Sequence, residues 1–216
     1  MPTAKRSATA VGLEVLDVNR YDSFGSPEDF AMIATTTPLV TADEFLRLHG
    51  DETGIELVKG QIVRLSMPGA LHGEVCLTAG TIVRDFVKSR RLGRVMSNDT
   101  FVKTRTNPDG CRGADVVFIG YATLPADAAT PKGALTPPLE LVIEVRSPSD
   151  SLNDLTLKAA EYIGAGVKVV LVLDPNLEAA AVYRVDEFPQ RLHNGDELVL
   201  PDILPGFAVP VKRFFE

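Results

Sequence analysis

Leu139-Glu-Leu-Val-Ile-Glu-Val145, the stretch Leu152–Ala165, and Val167-Lys-Val-Val-Leu-Val-Leu173 decide how this chain folds. The two outer runs are short and apolar, as strands covered on both faces are. Between them Leu152, Leu155, Ala159 and Tyr162 recur at helical spacing, and Ser151 with Asp154 supplies a helix-start signal. Strand, helix and strand in this order predict a right-handed crossover in a parallel or mixed sheet, hence an α/β fold.

Outward from this unit, Asp115-Val-Val-Phe-Ile119 reads as another central strand opened by its aspartate, and Thr100–Thr106 alternates like a half-exposed one. Apolar residues at 71, 75, 79, 82, 83 and 86 mark a long amphipathic helix from Leu71 to Leu92, with Arg84, Lys88 and Arg91 sharing another face. That basic stripe is either a solvated face or a contact for phosphates. Two β-rich runs around Lys59-Gly60 suggest a hairpin within Ile55–Leu65, and Thr41 with Glu44 forms a capping box for a helix over Ala42–His49. Beyond Asp174-Pro175, Ala179–Val185 reads as a strand. The tail from Gly195 to Glu216, broken by Pro201, Pro205 and Pro210, reads as a hairpin or edge segment. Residues 1–37 read as an irregular extension, and 38–216 as one domain. The Ala/Pro-rich loop Thr123–Pro138 is long for a compact domain and suggests a lid, an interface element or a mobile insertion.

At 216 residues with 45% hydrophobic and 24% charged residues, the chain can bury a real core. No apolar run approaches the roughly 20 residues that cross a bilayer, so no membrane partner is expected. The first residues, MPTAKRSATA, lack a secretory apolar region, which points to the cytoplasm. Lys+Arg 22 against Asp+Glu 29 gives a net charge of −7, the wrong sign for coating nucleic acid, so phosphate contacts would need a local basic patch. Only Cys76 and Cys111 occur, with no Cys-x-x-Cys and no pairing with histidine. On sequence this excludes a disulfide framework and a thiolate zinc site.

The chemistry lies in the acids. Asp115 and Glu144 sit at the margins of apolar strands, where a carboxylate is costly to desolvate unless paired, hydrogen-bonded or bound to a cation. Two such groups on adjacent strands suit Mg²⁺ or Mn²⁺; equally, each could cap a helix or bond a backbone amide. Lys158 borders the buried stripe of its helix. It is placed either to reach toward Glu144 and stabilise charge on a phosphate, or to snorkel over apolar surface.

Taken in order, Arg112-Gly-Ala-Asp115-Val-Val-Phe-Ile119, Pro137-Pro-Leu-Glu-Leu-Val-Ile-Glu144-Val-Arg-Ser-Pro-Ser-Asp150, Lys158, Glu161-Tyr162, Gly166-Val167 through Asp174-Pro175, Val182-Tyr183-Arg184 and Leu204-Pro-Gly-Phe207 form a motif chain. It resembles the Uma-two family of restriction-endonuclease-like proteins, within the PD-(D/E)XK nuclease superfamily, over about Thr41 to Phe215. The resemblance implies a restriction-endonuclease-like core, a mixed β-sheet flanked by helices, and a metal-dependent endonuclease acting on DNA.

Carried onto this chain, the resemblance makes Asp115 the metal-binding aspartate and Glu144 the second acid, with the Val145 carbonyl as a further ligand to Mg²⁺ (or Mn²⁺). Such an ion polarises the scissile phosphate and acidifies a bound water. Glu56 matches an early acidic position and His72 a histidine after the Ser66-Met-Pro68 segment. Superfamily spacing would put the basic residue at Arg146. The family pattern points to Lys158, which is preferred because a guanidinium is a poor proton acceptor. Ala114 departs from the proline that usually precedes the aspartate. His49 and His193 read as surface residues with no carboxylate partner. A homodimer is expected, since two sites cut two strands. The competing reading keeps the fold without cleavage, as a binding or regulatory module. The elbow, phosphate-loop and zincin motifs of other hydrolases are absent.

Overall fold

The computed structural model describes residues 38–216, so the expected extension over 1–37 lies outside the described residues. The chain orders as α1 (Ala42–His49), β1 (Ile55–Val58), β2 (Gln61–Arg64), α2 (Ala70–Ser89), β3 (Gly93–Arg105), β4 (Gly110–Gly120), β5 (Leu139–Val145), α3 (Leu152–Ala165), β6 (Val167–Asp174), β7 (Ala179–Arg184), β8 (Gln190–Leu192), β9 (Glu197–Val199) and β10 (Ala208–Pro210), closed by a 3-10 turn. Eight strands form one mixed sheet in the order β2-β1-β4-β5-β6-β7-β8, with β3 also on β4; only β5 and β6 run parallel within it. β9 and β10 make the expected tail hairpin.

The deciding unit folds as read. β5 is buried along its whole length, and α3 starts at the Ser151 cap, whose hydroxyl accepts from the Asp154 amide. The left-handed Gly166 (φ 107°) ends α3 and turns the chain directly into β6. α1 carries the complete Thr41–Glu44 capping box.

The sheet is covered on both faces. On one side Val75, Ala79, Val83 and Val87 of α2 pack with Phe118, Ile143, Leu171 and the C-terminal Phe207 and Phe214. On the other, Leu155, Ala159 and Tyr162 of α3 pack against Val117, Val142 and Val170. α1 seals the β1 end through Phe45, Leu57 and Cys111.

Three boundaries differ from the sequence reading. α2 stops at Ser89, because Arg91 turns left-handed (φ 54°) and the Leu92 amide bonds back to Val87; Arg91 therefore leaves the helical face of Arg84 and Lys88. β3 begins at Gly93, not Thr100, and is one strand interrupted by a bulge at Asn98-Asp99. β4 begins at Gly110, so Asp115 stands in mid-strand rather than at its start. Its two early glycines, Gly110 and Gly113, pair with β3.

Loop 121–138 is tied down. Arg94 donates to the carbonyls of Pro125, Ala126 and Ala128 and to Thr130 Oγ1, while buried Leu135 bridges to β3 at Val102. Among the described residues, no helix is long and apolar enough to cross a membrane. Arg94→Ala is expected to raise amide exchange across residues 122–131 about tenfold, matching ~1–2 kcal/mol of lost guanidinium–carbonyl bonding, with β5 unchanged. Hydrogen-exchange mass spectrometry reads this; unaltered loop exchange would show that the loop holds itself.

Candidate active site

The site is a fork in the sheet. One edge of β4 runs along β3; the other is shared, with β1 meeting it at Cys111 and β5 joining only from Val116 to Phe118. Residues 112–115 lie in the gap, and the polar backbone groups they turn to this edge need partners from outside the ladder. Side chains supply them. The Gly113 amide donates to Glu56 Oε1 at 3.1 Å, and its carbonyl accepts from Lys158 Nζ at 3.0 Å. Across the gap, Asp115 Oδ2 accepts from the Val145 amide at 2.7 Å. One register step beyond Val116↔Ile143 sets Asp115 opposite Glu144.

Lys158 is no snorkelling lysine. Its ammonium sits 2.8 Å from Glu144 Oε2 and 2.9 Å from Glu56 Oε1, so with Gly113 its three donors are used. Tyr162 donates to Glu144 Oε1 at 2.9 Å. Arg112 holds Glu56 Oε2 at 2.8 Å and also pairs with Glu161, which accepts from Thr104 as well. Lys158, Glu161 and Tyr162 thus project from one face of α3 into the fork.

Burial pushes the Glu144 carboxyl up, to about 8, against the pull of Lys158. Both its oxygens nevertheless accept hydrogen bonds, the pattern of an ionised acid, and the Lys158 pKa is raised in turn by Glu144 and Glu56 despite burial. We take the pair as charged. For Glu56 burial works upward but is outweighed by Lys158 and Arg112, so its pKa is lowered.

His72, on the first turn of α2, brings Nε2 to 3.5 Å from Asp115 Oδ2. Asp115 raises the His72 pKa against a desolvation cost, and the Val145 amide, bonded to the same Asp115 oxygen, sets that end of β5 at the same corner.

The fold therefore brings together all the residues singled out from sequence: Asp115, Glu144, Lys158, Glu56, His72 and Val145. Arg146 is turned elsewhere, onto Asp174 at 2.7 Å. Asp115 accepts from a backbone amide, one of its two sequence readings, and also faces the open corner.

Three contributors escaped the sequence reading. Arg112 and Glu161 had no visible partners there. Asp99 is the third. The bulge sets two residues, Asn98 and Asp99 (φ 71° and 53°), against Asp115 alone, and a Cβ at Gly113 would stand 3.4 Å from that of Asp99. Burial, then Asp115, raises its pKa. The Asn-Asp pair, tolerant of left-handed backbone, was the available signal. The histidine readings also need correction. His49 does have a carboxylate partner, Glu52 at 2.6 Å, and Cys76 is paired, with its sulfur 3.4 Å from His72 Nδ1. Four residues apart on a helix is one turn, a spacing that was legible.

A mixed sheet flanked by helices, forked at a cluster of buried carboxylates and one lysine, is the restriction-endonuclease-like class of fold. The chain belongs to the Uma2 family, described as "Putative restriction endonuclease", which matches residues 42–212. It is similar in fold to the crystal structure of "a putative nuclease belonging to DUF820" from Anabaena variabilis ATCC 29413, with a TM-score of 0.72 at 20% identity, covering 82% of this chain and 97% of that one. No curated protein matches the chain.

Lys158→Met is expected to cost about 3–5 kcal/mol of stability near neutral pH, because Glu144 stays buried without its cation and Glu56 keeps only Arg112. Burial raises the Glu144 pKa above its ordinary 4.5, so the folded variant favours the protonated acid. Its stability is thus retained at low pH and lost as the pH rises. Denaturant unfolding should show the deficit shrinking toward about pH 5; an equal deficit at both pH values would remove Glu144 as its source.

Proposed function

We propose that this cleft hydrolyses phosphodiester bonds in DNA with the help of Mg²⁺ or Mn²⁺. The observation carrying the reading is that Glu56, Asp115, Glu144 and Lys158 converge from four elements on one fork, where carboxylates outnumber cations. Among the described residues, Glu56, Glu144, Glu161, Asp115 and Asp99 face only Arg112 and Lys158 beside His72, an imbalance that a divalent cation would offset.

The residues fit such an ion. Asp115 and the Val145 carbonyl offer hard oxygen atoms at the open corner, and Glu144 can add one by yielding a hydrogen bond. Bound there, the ion would polarise a phosphate and acidify a water. Lys158 holds Glu144 and Glu56 in place and, by exchanging one partner, can turn its charge toward a phosphate oxygen. Glu56 fixes the Gly113 backbone between the two acids, and His72 can donate to the phosphate from beside Asp115.

Arg84 and Lys88, exposed on α2, are the local basic surface an acidic protein needs for DNA. A cytoplasmic homodimer, one cleft per strand, is the form in which this reading cuts a duplex. The competing reading, a binding module that does not cleave, draws on the saturated hydrogen bonding of Lys158 and Glu144.

Asp115→Asn and Glu144→Gln each keep an acceptor oxygen, for the Val145 amide and for Lys158, and should fold. Each should lower Mg²⁺- or Mn²⁺-dependent nicking of plasmid DNA by about 100-fold or more. Full activity in either variant would take that residue out of the site. No cleavage by the parent protein with either ion would favour the binding module.

A further inference from the structure

One corner of the fork carries a donor that hydrolysis with a hard cation does not use. Cys76 follows His72 by one helical turn, and both side chains face Asp115 in the middle of β4. Cys76 Sγ lies 3.4 Å from His72 Nδ1 and 3.9 Å from Nε2, while Nε2 lies 3.5 Å from Asp115 Oδ2. One ligand atom from each of the three stands within 4.8 Å of the others.

We propose that His72, Cys76 and Asp115 form a binding site for a borderline-soft divalent cation of the Zn²⁺ class. It puts a softer cation at the Asp115 corner in place of the hard ion considered above, and rests on that reading only in treating Asp115 as a ligand. Four-coordinate zinc holds nitrogen and oxygen at about 2.0–2.2 Å and sulfur at about 2.3 Å, so neighbouring ligand atoms stand about 3.3–3.7 Å apart. The Nε2 edges to Asp115 and Cys76 already match this to within a few tenths of an ångström. Sulfur is a poor ligand for Mg²⁺ and a good one for zinc, so Cys76 biases the corner away from the hard ion. Three protein ligands leave a fourth position for water or a phosphate oxygen. His72 and Asp115 each keep 12% of their side-chain surface exposed and Cys76 is half-buried, so an ion can enter. On binding, the thiol proton passes to solvent and sulfur coordinates as thiolate.

Cys111 gives the test its specificity. It is fully buried in the α1–β1 cluster with Phe45 and Leu57, away from this corner, so a metal–sulfur signal reports Cys76. The reduced, chelator-stripped full chain is titrated with Co²⁺ while near-ultraviolet and visible absorption are recorded, and Zn²⁺ is then added in competition. The expected result is a sulfur-to-cobalt charge-transfer band saturating at one equivalent and displaced by Zn²⁺ but not by excess Mg²⁺. Cys76→Ser, which is nearly isosteric, and Cys76→Ala should lose the band and weaken Zn²⁺ binding by about 100-fold or more, beyond the loss typical of an outer-shell partner. Circular dichroism of the metal-free variants guards against misfolding, since both should match the parent. Co²⁺ binding without a sulfur band, or undiminished Zn²⁺ affinity in a folded Cys76→Ala, overturns the proposal. The readout is independent of cleavage: a sulfur band with no cleavage under any ion overturns the nuclease reading alone, and Mg²⁺-driven cleavage without a sulfur band overturns this proposal alone.

Discussion

The gap between β1 and β5 along one edge of β4 is the constraint on which the rest of the site depends. A continuous ladder would have satisfied the backbone of residues 112–115 with neighbouring strands and left no use for buried charge. Because the ladder divides there, Gly113 takes Glu56 and Lys158 as partners, and the Val145 amide takes Asp115. Orphaned backbone groups cost about 1–3 kcal/mol each when buried, so these side chains hold the fork open as well as line it.

Burying that many ionised groups is stable only as a network. Glu56 has a lysine on one oxygen and an arginine on the other; Glu144 has a lysine and a tyrosine. No buried side-chain polar atom among the described residues lacks a partner. The network still has fewer cations than carboxylates, and the surplus lies toward Asp115 and Asp99, where the cleft opens. Structural and chemical readings of these acids are therefore compatible: the same carboxylate that ties a strand end also sets the local field for a cation.

How far this was legible depends on where the signal is stored. β5, α3 and the α1 cap were readable because strand apolarity, helical period and capping residues are local. β3 and β4 were only half readable. Gly110, Gly113 and Asn98-Asp99 look like turn residues, yet here they serve a tight strand crossing and a bulge whose pairing is fixed by other strands. Arg112–Glu161 and Arg112–Glu56 span 49 and 56 residues, which no periodicity reports. Cys76 was a different failure: its partner was one helical turn away, and the spacing went unused.

α3 explains why acid and lysine can sit on different elements and still meet. Glu144 lies on β5, and the chain after it runs through a short turn into α3 before returning as β6 in parallel register. The position of the helix over the sheet is thus set by the same strand that presents Glu144. Lys158, Glu161 and Tyr162, three and four residues apart, meet four strands from that one helical face: β5 at Glu144, β1 at Glu56, β4 at Arg112 and β3 at Thr104. Arg146, two residues after Glu144 and just past the end of β5, turns away to Asp174 at 2.7 Å. Carried on α3, the ammonium approaches from above the sheet and reaches both sides of the fork, Glu144 on β5 and Glu56 on β1.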